Sequence, residues 1–219
     1  MNLPFIHLRT LSSYSLSESA LKINDIIKLT KDNNMPAIAI TDNNNMFGVF
    51  EFSLECSKNG IQPIIGTSVN LLDVKYKDKI SQLSFLVKNE QGYKNLLHIS
   101  SLSHISQNNN VGIFLNELEK YSDGLFCFIG GEYNPLLLLN LNNENIKIKK
   151  LIDKLKSIFN ENLLFEIQRI EDNVIDVFES KFINLANRYR IPLIGSNNIK
   201  FEKEDDFSAH DALLCIAQK

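Results

Sequence analysis

The pattern of apolar and polar positions is most regular over residues 35–70, MPAIAITDNNNMFGVFEFSLECSKNGIQPIIGTSVN. An apolar run at 36–41, bounded by proline and aspartate, predicts a buried strand. Residues 42–45, DNNN, predict a turn, because Asp and Asn tolerate left-handed backbone angles and bond their own main chain. Phe47, Phe50, Leu54 and Cys56 recur near helical spacing, and Asn59-Gly60 supplies a stop, glycine suiting the position just past a helix end. A second apolar run at 62–69 completes strand, helix, strand, which is a βαβ crossover with parallel strands.

The rest of the chain alternates in the same way. Residues 5–8 predict a first strand, and 9–19 a serine-rich loop (LSSYSLSES). A helix from about Ala20 carries Leu21, Ile26, Ile27 and Leu29. Residues 71–79 are polar and predict a loop, whereas 82–87 (QLSFLV) alternate as a half-buried strand. A helix from Asn89-Glu90 carries Tyr93, Leu96 and Leu97, followed by a polar connection at 100–111 and a short helix at 113–121. Strands are predicted at 124–129, 163–168 and 193–196, and helices at 135–143, 146–159 and 172–189. A last helix runs from Phe207 to the end. Seven strands, nearly all followed by helices, imply either an open doubly wound sheet or a closed barrel. The last helix, ALLCIAQK, has no stop signal, so a fragment of a longer chain is expected.

Composition narrows the function classes. The net charge is −3 over 219 residues, and a surface that grips duplex DNA unaided is usually basic. Lysines at 147–156 fit the wet face of a helix. Cys56, Cys127 and Cys215 share no close spacing and suit reduced residues of a cytoplasmic protein better than disulfides or zinc. There is no signal-peptide pattern, and the longest apolar run, 135–139, is too short to span a membrane. Neither GxGxxG nor GxxxxGKS/T occurs, which removes the usual nucleotide-binding readings.

Asp42 stands at the end of a predicted strand, where parallel α/β folds gather their functional loops. It is either a turn-capping aspartate or a ligand or acid/base group. Several stretches carry a resemblance that bears on the choice: FIHLRTLSSYSL, PAIAITDNNNMFGVFEF, GIQPIIGTSVN, FLVKNEQGYKNLLHISS and AHDALLCI. Together, in order and spacing, these resemble the N-terminal PHP (polymerase and histidinol phosphatase) domain of bacterial DNA polymerase III alpha subunits. The resemblance covers essentially the whole chain as one domain, and it implies an α/β fold with a distorted seven-stranded (βα)7 barrel like that of TIM.

In active PHP domains the resemblance implies histidines and carboxylates at strand ends, holding up to three metal ions for phosphoester cleavage. The family positions fall here at Arg9 and Leu11 (an HxH pair in the family), Asp42, Asn43, Ser68, Gln82, Gly130 or Gly131, Ile170, Asn198 and Lys200. Only Asp42 keeps a ligand type. Arginine has no lone pair to give and leucine has no donor atom. One carboxylate does not hold a catalytic divalent ion, for which about three protein ligands are usual. The expectation is a metal-free site without catalytic residues, in which Arg9 and Lys200 pair with Asp42. His7 lies outside the ligand set, and His98, His104 and His210-Asp211 suit helix-end or solvated roles. Tyr14 and its serines suit the pocket mouth, and Glu166 an ion pair or rim position.

The resemblance therefore implies a structural and docking module, with no cofactor of its own, for the proofreading exonuclease subunit. The full chain would be a DNA-directed DNA polymerase, a nucleotidyltransferase of the holoenzyme that uses magnesium and meets DNA through its other domains. The fragment itself is expected to be a monomer. A metal-dependent phosphoesterase or 3′–5′ exonuclease is the alternative, and it needs the missing HxH pair.

Overall fold

In the computed structural model, described over residues 5–105, 110–169 and 173–217, the chain forms two units, residues 1–67 with 197–219 and residues 68–196. The first unit contains the βαβ crossover read from the pattern. Strand β2 (Ala37–Ile40) leads through α2 (Val49–Lys58) to β3 (Gln62–Tyr76). Strands β2 and β3 are parallel, with Ala37 opposite Gln62 and Ile40 opposite Ile65. Gly60 closes α2 at φ +70°, the backbone region for which a glycine is the natural choice.

The first strand is β1 (Arg9–Thr10), rather than residues 5–8. It pairs in parallel with β8 (Asn198–Ile199), which the apolar pattern did not indicate; Arg9 faces Asn198 in register. It also meets β2, since Thr41 N donates to Thr10 O at 2.8 Å. Helix α1 (Ile23–Asp32) covers this ladder, and α8 (Phe207–Ala217) closes the unit. The core joins Ile23, Ile26 and Ile27 to Ile38, Ile40 and Phe52.

Helix α2 corrects one expectation. Its inward row is Val49, Phe52 and Cys56, while Phe47 and Phe50 are 67% and 75% exposed and Leu54 is exposed beside them. Both rows have i, i+3, i+7 spacing, so periodicity finds the helix without fixing its phase.

In the second unit the sheet order is β3, β4 (Lys79–Val87), β5 (Leu125–Gly130), β6 (Leu163–Ile167) and β7 (Leu193–Gly195). Strands β4 and β5 are antiparallel, with Phe85 opposite Cys127. Strands β5, β6 and β7 run parallel. Residues 71–79, expected as a loop, mostly continue β3 as far as Tyr76 before a turn at Lys77, which has φ +52°. Val69, Leu71 and Val74 are buried along this stretch, and the charges between them masked the strand. Helix α3 (Glu90–Ile105) likewise extends through residues expected to be a connection. Its Gly92 permits a close approach, because a Cβ there would overlap the Gly124 carbonyl oxygen.

Helices α4 (Leu115–Leu118), α5 (Pro135–Leu141), α6 (Asn145–Phe159) and α7 (Asn173–Tyr189) complete this unit. Asp172, the expected start of α7, lies outside the described residues. Phe85 meets Phe159, and Phe165 stacks on Phe182 at 4.5 Å between centroids. The α/β class therefore holds, with a mixed sheet. A seven-stranded closed barrel is not confirmed by these ladders: β1 and β8 form a two-stranded ladder of their own, and β4–β5 interrupts the parallel run. Among the described residues no helix is long and apolar enough to cross a membrane.

Candidate functional site

Asp42 emerges from β2 only 2% exposed, and a carboxylate so placed needs donors. The serine-rich segment supplies them. Oδ1 accepts from Ser12 N at 2.7 Å and from Ser15 Oγ at 2.6 Å, and Oδ2 accepts from Ser12 Oγ at 2.7 Å. The hydroxyls in turn accept from Tyr14 N and Asn43 N, both at 3.1 Å. Thr67 Oγ1 ties down the main chain on the other side, donating to Asp42 O at 2.6 Å and Asn45 O at 3.0 Å. Burial pushes the Asp42 carboxyl above its ordinary value, and the serine hydrogen bonds oppose that rise.

Serine hydroxyls and one backbone amide are thus the donors at the Asp42 carboxylate. Arg9 is buried on β1, and Leu11 is fully buried. Lys200 is half-buried, and its carbonyl accepts from Ser19 Oγ at 2.9 Å. Asn43 donates through Nδ2 to Glu18, while its Oδ1 and that of Asn198 are buried without partners among the described residues. His7 is half-buried, and desolvation lowers its pKa.

The second unit treats its share of these positions similarly. Ser68 and Ser84 share a hydroxyl–hydroxyl bond of 2.8 Å. Gln82 Nε2 donates to Asn70 Oδ1 at 3.1 Å. A Cβ at Gly130 would overlap the Glu166 backbone, and one at Gly131 would lie 2.7 Å from Gln168 Oε1. No side chain fits at Gly130 as the backbone stands, and one at Gly131 would be strained at φ +68°. Ile170 lies outside the described residues. Glu166 is buried and accepts from Ser196 Oγ, which corrects its expected rim position.

The remaining histidines stand apart from this chemistry. His98 stacks on Tyr121 at 5.2 Å, and His104 is exposed. His210 is buried, with Nε2 2.9 Å from Glu18 O. Asp211 lies beyond the first turn of α8 rather than at its terminus. Tyr14 OH donates to Glu51 at 3.1 Å.

A family model described as PHP domain matches residues 7–170. The chain belongs to the PHP domain family. Its similar proteins include DNA polymerase III subunit alpha of Rickettsia conorii, 37% identical over 219 residues, 97% of this chain and 18% of that protein. The same subunit of Borreliella burgdorferi is 35% identical over 97% of this chain and 19% of its own length. That of Pseudomonas aeruginosa is 28% identical over 100% and 19%. The PHP domain thus spans about a fifth of the length of the curated relatives it matches. Among solved structures, a sulfate-bound, metal-free amidohydrolase from Chromobacterium violaceum aligns at TM-score 0.56, with 12% identity over 95% of this chain and 96% of that one. That likeness concerns the fold alone.

The metal cluster implied for active PHP domains does not fit the residues present. Asp42 already accepts three hydrogen bonds. The other described family positions offer a guanidinium, an ammonium, an alkyl group, neutral amides, a hydroxyl and glycines, none of which is a strong ligand for zinc, manganese or iron. Among the described residues no three His, Cys, Asp or Glu side chains converge as a metal cage.

Proposed function

We propose that this PHP domain is the metal-free, non-catalytic module of a replicative DNA polymerase III alpha subunit, serving structure and docking. One observation carries the reading: the single retained ligand type, Asp42, is spent on Ser12 and Ser15. A carboxylate fastened in this way holds the serine segment against the end of β2, which is a folding role. The full chain is read as a DNA-directed DNA polymerase, a cytoplasmic nucleotidyltransferase with magnesium in its catalytic domain. Its polymerase carboxylates are assigned to other domains. The partner assigned to this module is the proofreading exonuclease subunit, and DNA contact falls mainly to the remainder of the chain. Similarity to polymerase III alpha subunits along almost the whole of this chain supports that context.

The test is metal content by mass spectrometry after incubation with manganese and zinc and then desalting. Less than about a tenth of an ion per chain is expected. Stoichiometric metal that disappears in Asp42→Ala would overturn the reading in favour of a metal-dependent phosphoesterase.

A further inference from the structure

Asparagine is followed by glycine once in the chain, at Asn59-Gly60. Asparagine is a thermally labile residue, and a glycine after it carries no Cβ to shield its backbone nitrogen. The reaction open to such a pair is internal. Gly60 N attacks Asn59 Cγ, the N–Cγ bond forms and the Cγ–Nδ2 bond breaks. The Gly60 amide proton passes by way of water to the departing nitrogen, which leaves as ammonia. Water then opens the five-membered imide at either carbonyl. The product is aspartate, or isoaspartate, in which the main chain runs through Cβ and Cγ.

The fold decides when this chemistry is possible. Asn59 ends α2 at φ −101° and ψ 6°. At that ψ the Gly60 nitrogen eclipses the Asn59 nitrogen, whereas the imide ring needs it close to eclipsing Cβ. Near-attack geometry therefore requires the backbone to rotate out of the helical region. The cap opposes that rotation. Asn59 N donates to Cys56 O at 3.0 Å, and Gly60 N donates to Ser57 O at 3.3 Å. The side chain is turned back along the helix, with Nδ2 donating to Glu55 O at 2.9 Å. On the other side Oδ1 accepts from Lys31 Nζ, on α1, at 3.1 Å. Cap and attack are mutually exclusive arrangements. Burial adds little protection, since Asn59 is half-buried and Gly60 is exposed with open space beside its Cα.

We propose that Asn59 is a self-modifying site gated by the C-terminal cap of α2, with Lys31 as its latch. Each opening of the cap admits imide formation, and the product does not restore the cap. A carboxylate at position 59 has no donor for Glu55 O and stands at the negative end of the helix dipole. Isoaspartate adds a main-chain carbon three residues before Gln62, which pairs with Ala37 at the start of β3. Modification thereby loosens the connection from α2 to β3. Asn33 is the internal comparison. It ends α1 with the same side-chain bond, Nδ2 to Leu29 O at 2.8 Å, but Asn34 follows it and shields the nitrogen with a side chain.

The 219-residue chain is incubated at pH 8, in buffer and in unfolding guanidinium chloride. Peptide mapping by mass spectrometry follows aspartate and isoaspartate at positions 59 and 33. Asn59 is expected to react at least about tenfold faster unfolded than folded, a factor set by the opening equilibrium of the cap. In the unfolded chain it should outrun Asn33, and Gly60→Ala should slow it. In the folded chain Lys31→Met is expected to speed the reaction about threefold, as the loss of one exposed hydrogen bond would. Lys31→Arg, which keeps a donor, should stay at the wild-type rate. Amide hydrogen exchange at Gly60 reports the opening directly and should quicken in Lys31→Met by the same factor. Equal rates folded and unfolded, Asn33 reacting as fast as Asn59 in the unfolded chain, or an unchanged or lower rate in folded Lys31→Met would each overturn the proposal.

Discussion

Replacing Asp42 separates a fastening carboxylate from a vestigial one. In Asp42→Ala, Ser12 N, Ser12 Oγ and Ser15 Oγ all lose their acceptor in a buried setting. Hydrogen bonds to a charged group contribute about 1.5–3 kcal/mol each. The three are not additive, because freed hydroxyls can turn toward one another or admit water, and the cost of burying the charge disappears with it. A net loss of about 2–4 kcal/mol is expected. Asp42→Asn keeps the shape and one acceptor oxygen. Its amide then donates to a serine hydroxyl that rotates to accept, so the expected loss is about 1 kcal/mol. Urea unfolding followed by far-UV circular dichroism measures both. An Asp42→Ala midpoint indistinguishable from wild type, or an Asp42→Asn loss as large as that of Asp42→Ala, would refute the reasoning.

The same site has a pH signature. The folded-state carboxyl is raised above its unfolded value, chiefly by desolvation. Between the unfolded value, about 3.9, and the folded one, the native chain binds the extra proton, so stability rises on acidification. Relative to Asp42→Asn, wild type is expected to gain stability as pH falls through the folded value and to level off below the unfolded one. A relative loss over that window would contradict the burial argument. Gly92→Ala should destabilise by at least about 2 kcal/mol by urea unfolding, since its Cβ overlaps backbone that has no freedom to retreat; Gly60→Ala, strained at φ +70° but in open space, should lose only about 1 kcal/mol. In a thiol-reagent assay at pH 8, Cys215 should react quickly in the folded chain. Cys56, pushed up to about 12 by burial, and buried Cys127, shifted in the same direction, should react only on unfolding. Phe50→Ser should leave the urea midpoint within about 0.5 kcal/mol of wild type, because that ring lies outside the core.

Which features were legible depended on the range of the interaction that sets them. The βαβ crossover follows from local pattern, and the structure shows it with the expected strand, turn and glycine stop. The phase of α2 depends on what packs against it, and two equally spaced apolar rows compete for the core. The extension of β3 was hidden because its outward positions carry charge, which composition reads as loop. Helix α3 was cut short for a related reason, its last turns being rich in serine. At the site, the position of Asp42 at a strand end was readable. Its partners were not, because Ser12 and Ser15 lie about thirty residues away in sequence. The serine richness of residues 9–19 is the local signal that pointed toward that loop, without singling out Ser12 and Ser15.

The serine cage also bears on why an aspartate remains where other ligand types are absent. In a metal cluster, bound cations offset the cost of burying a carboxylate. Without them an aspartate 2% exposed must find donors nearby or be replaced by a neutral residue. Here the donors come from the segment that joins β1 to α1, and Asn43 N and Tyr14 N hydrogen-bond to the same two serines. Asp42 thereby helps to fix the serine segment against the loop after β2, alongside the bonds of Asn43 to Glu18 and of Asn45 to the Tyr14 carbonyl. That role needs no metal, and it makes Asp42 more costly to lose than Asn43 or Asn198, whose buried amide oxygens have no partner among the described residues. On this argument Asn198→Ala should unfold closer to wild type than Asp42→Ala does. An order of midpoints reversed from this would place the structural weight of the site on the amides rather than on the carboxylate.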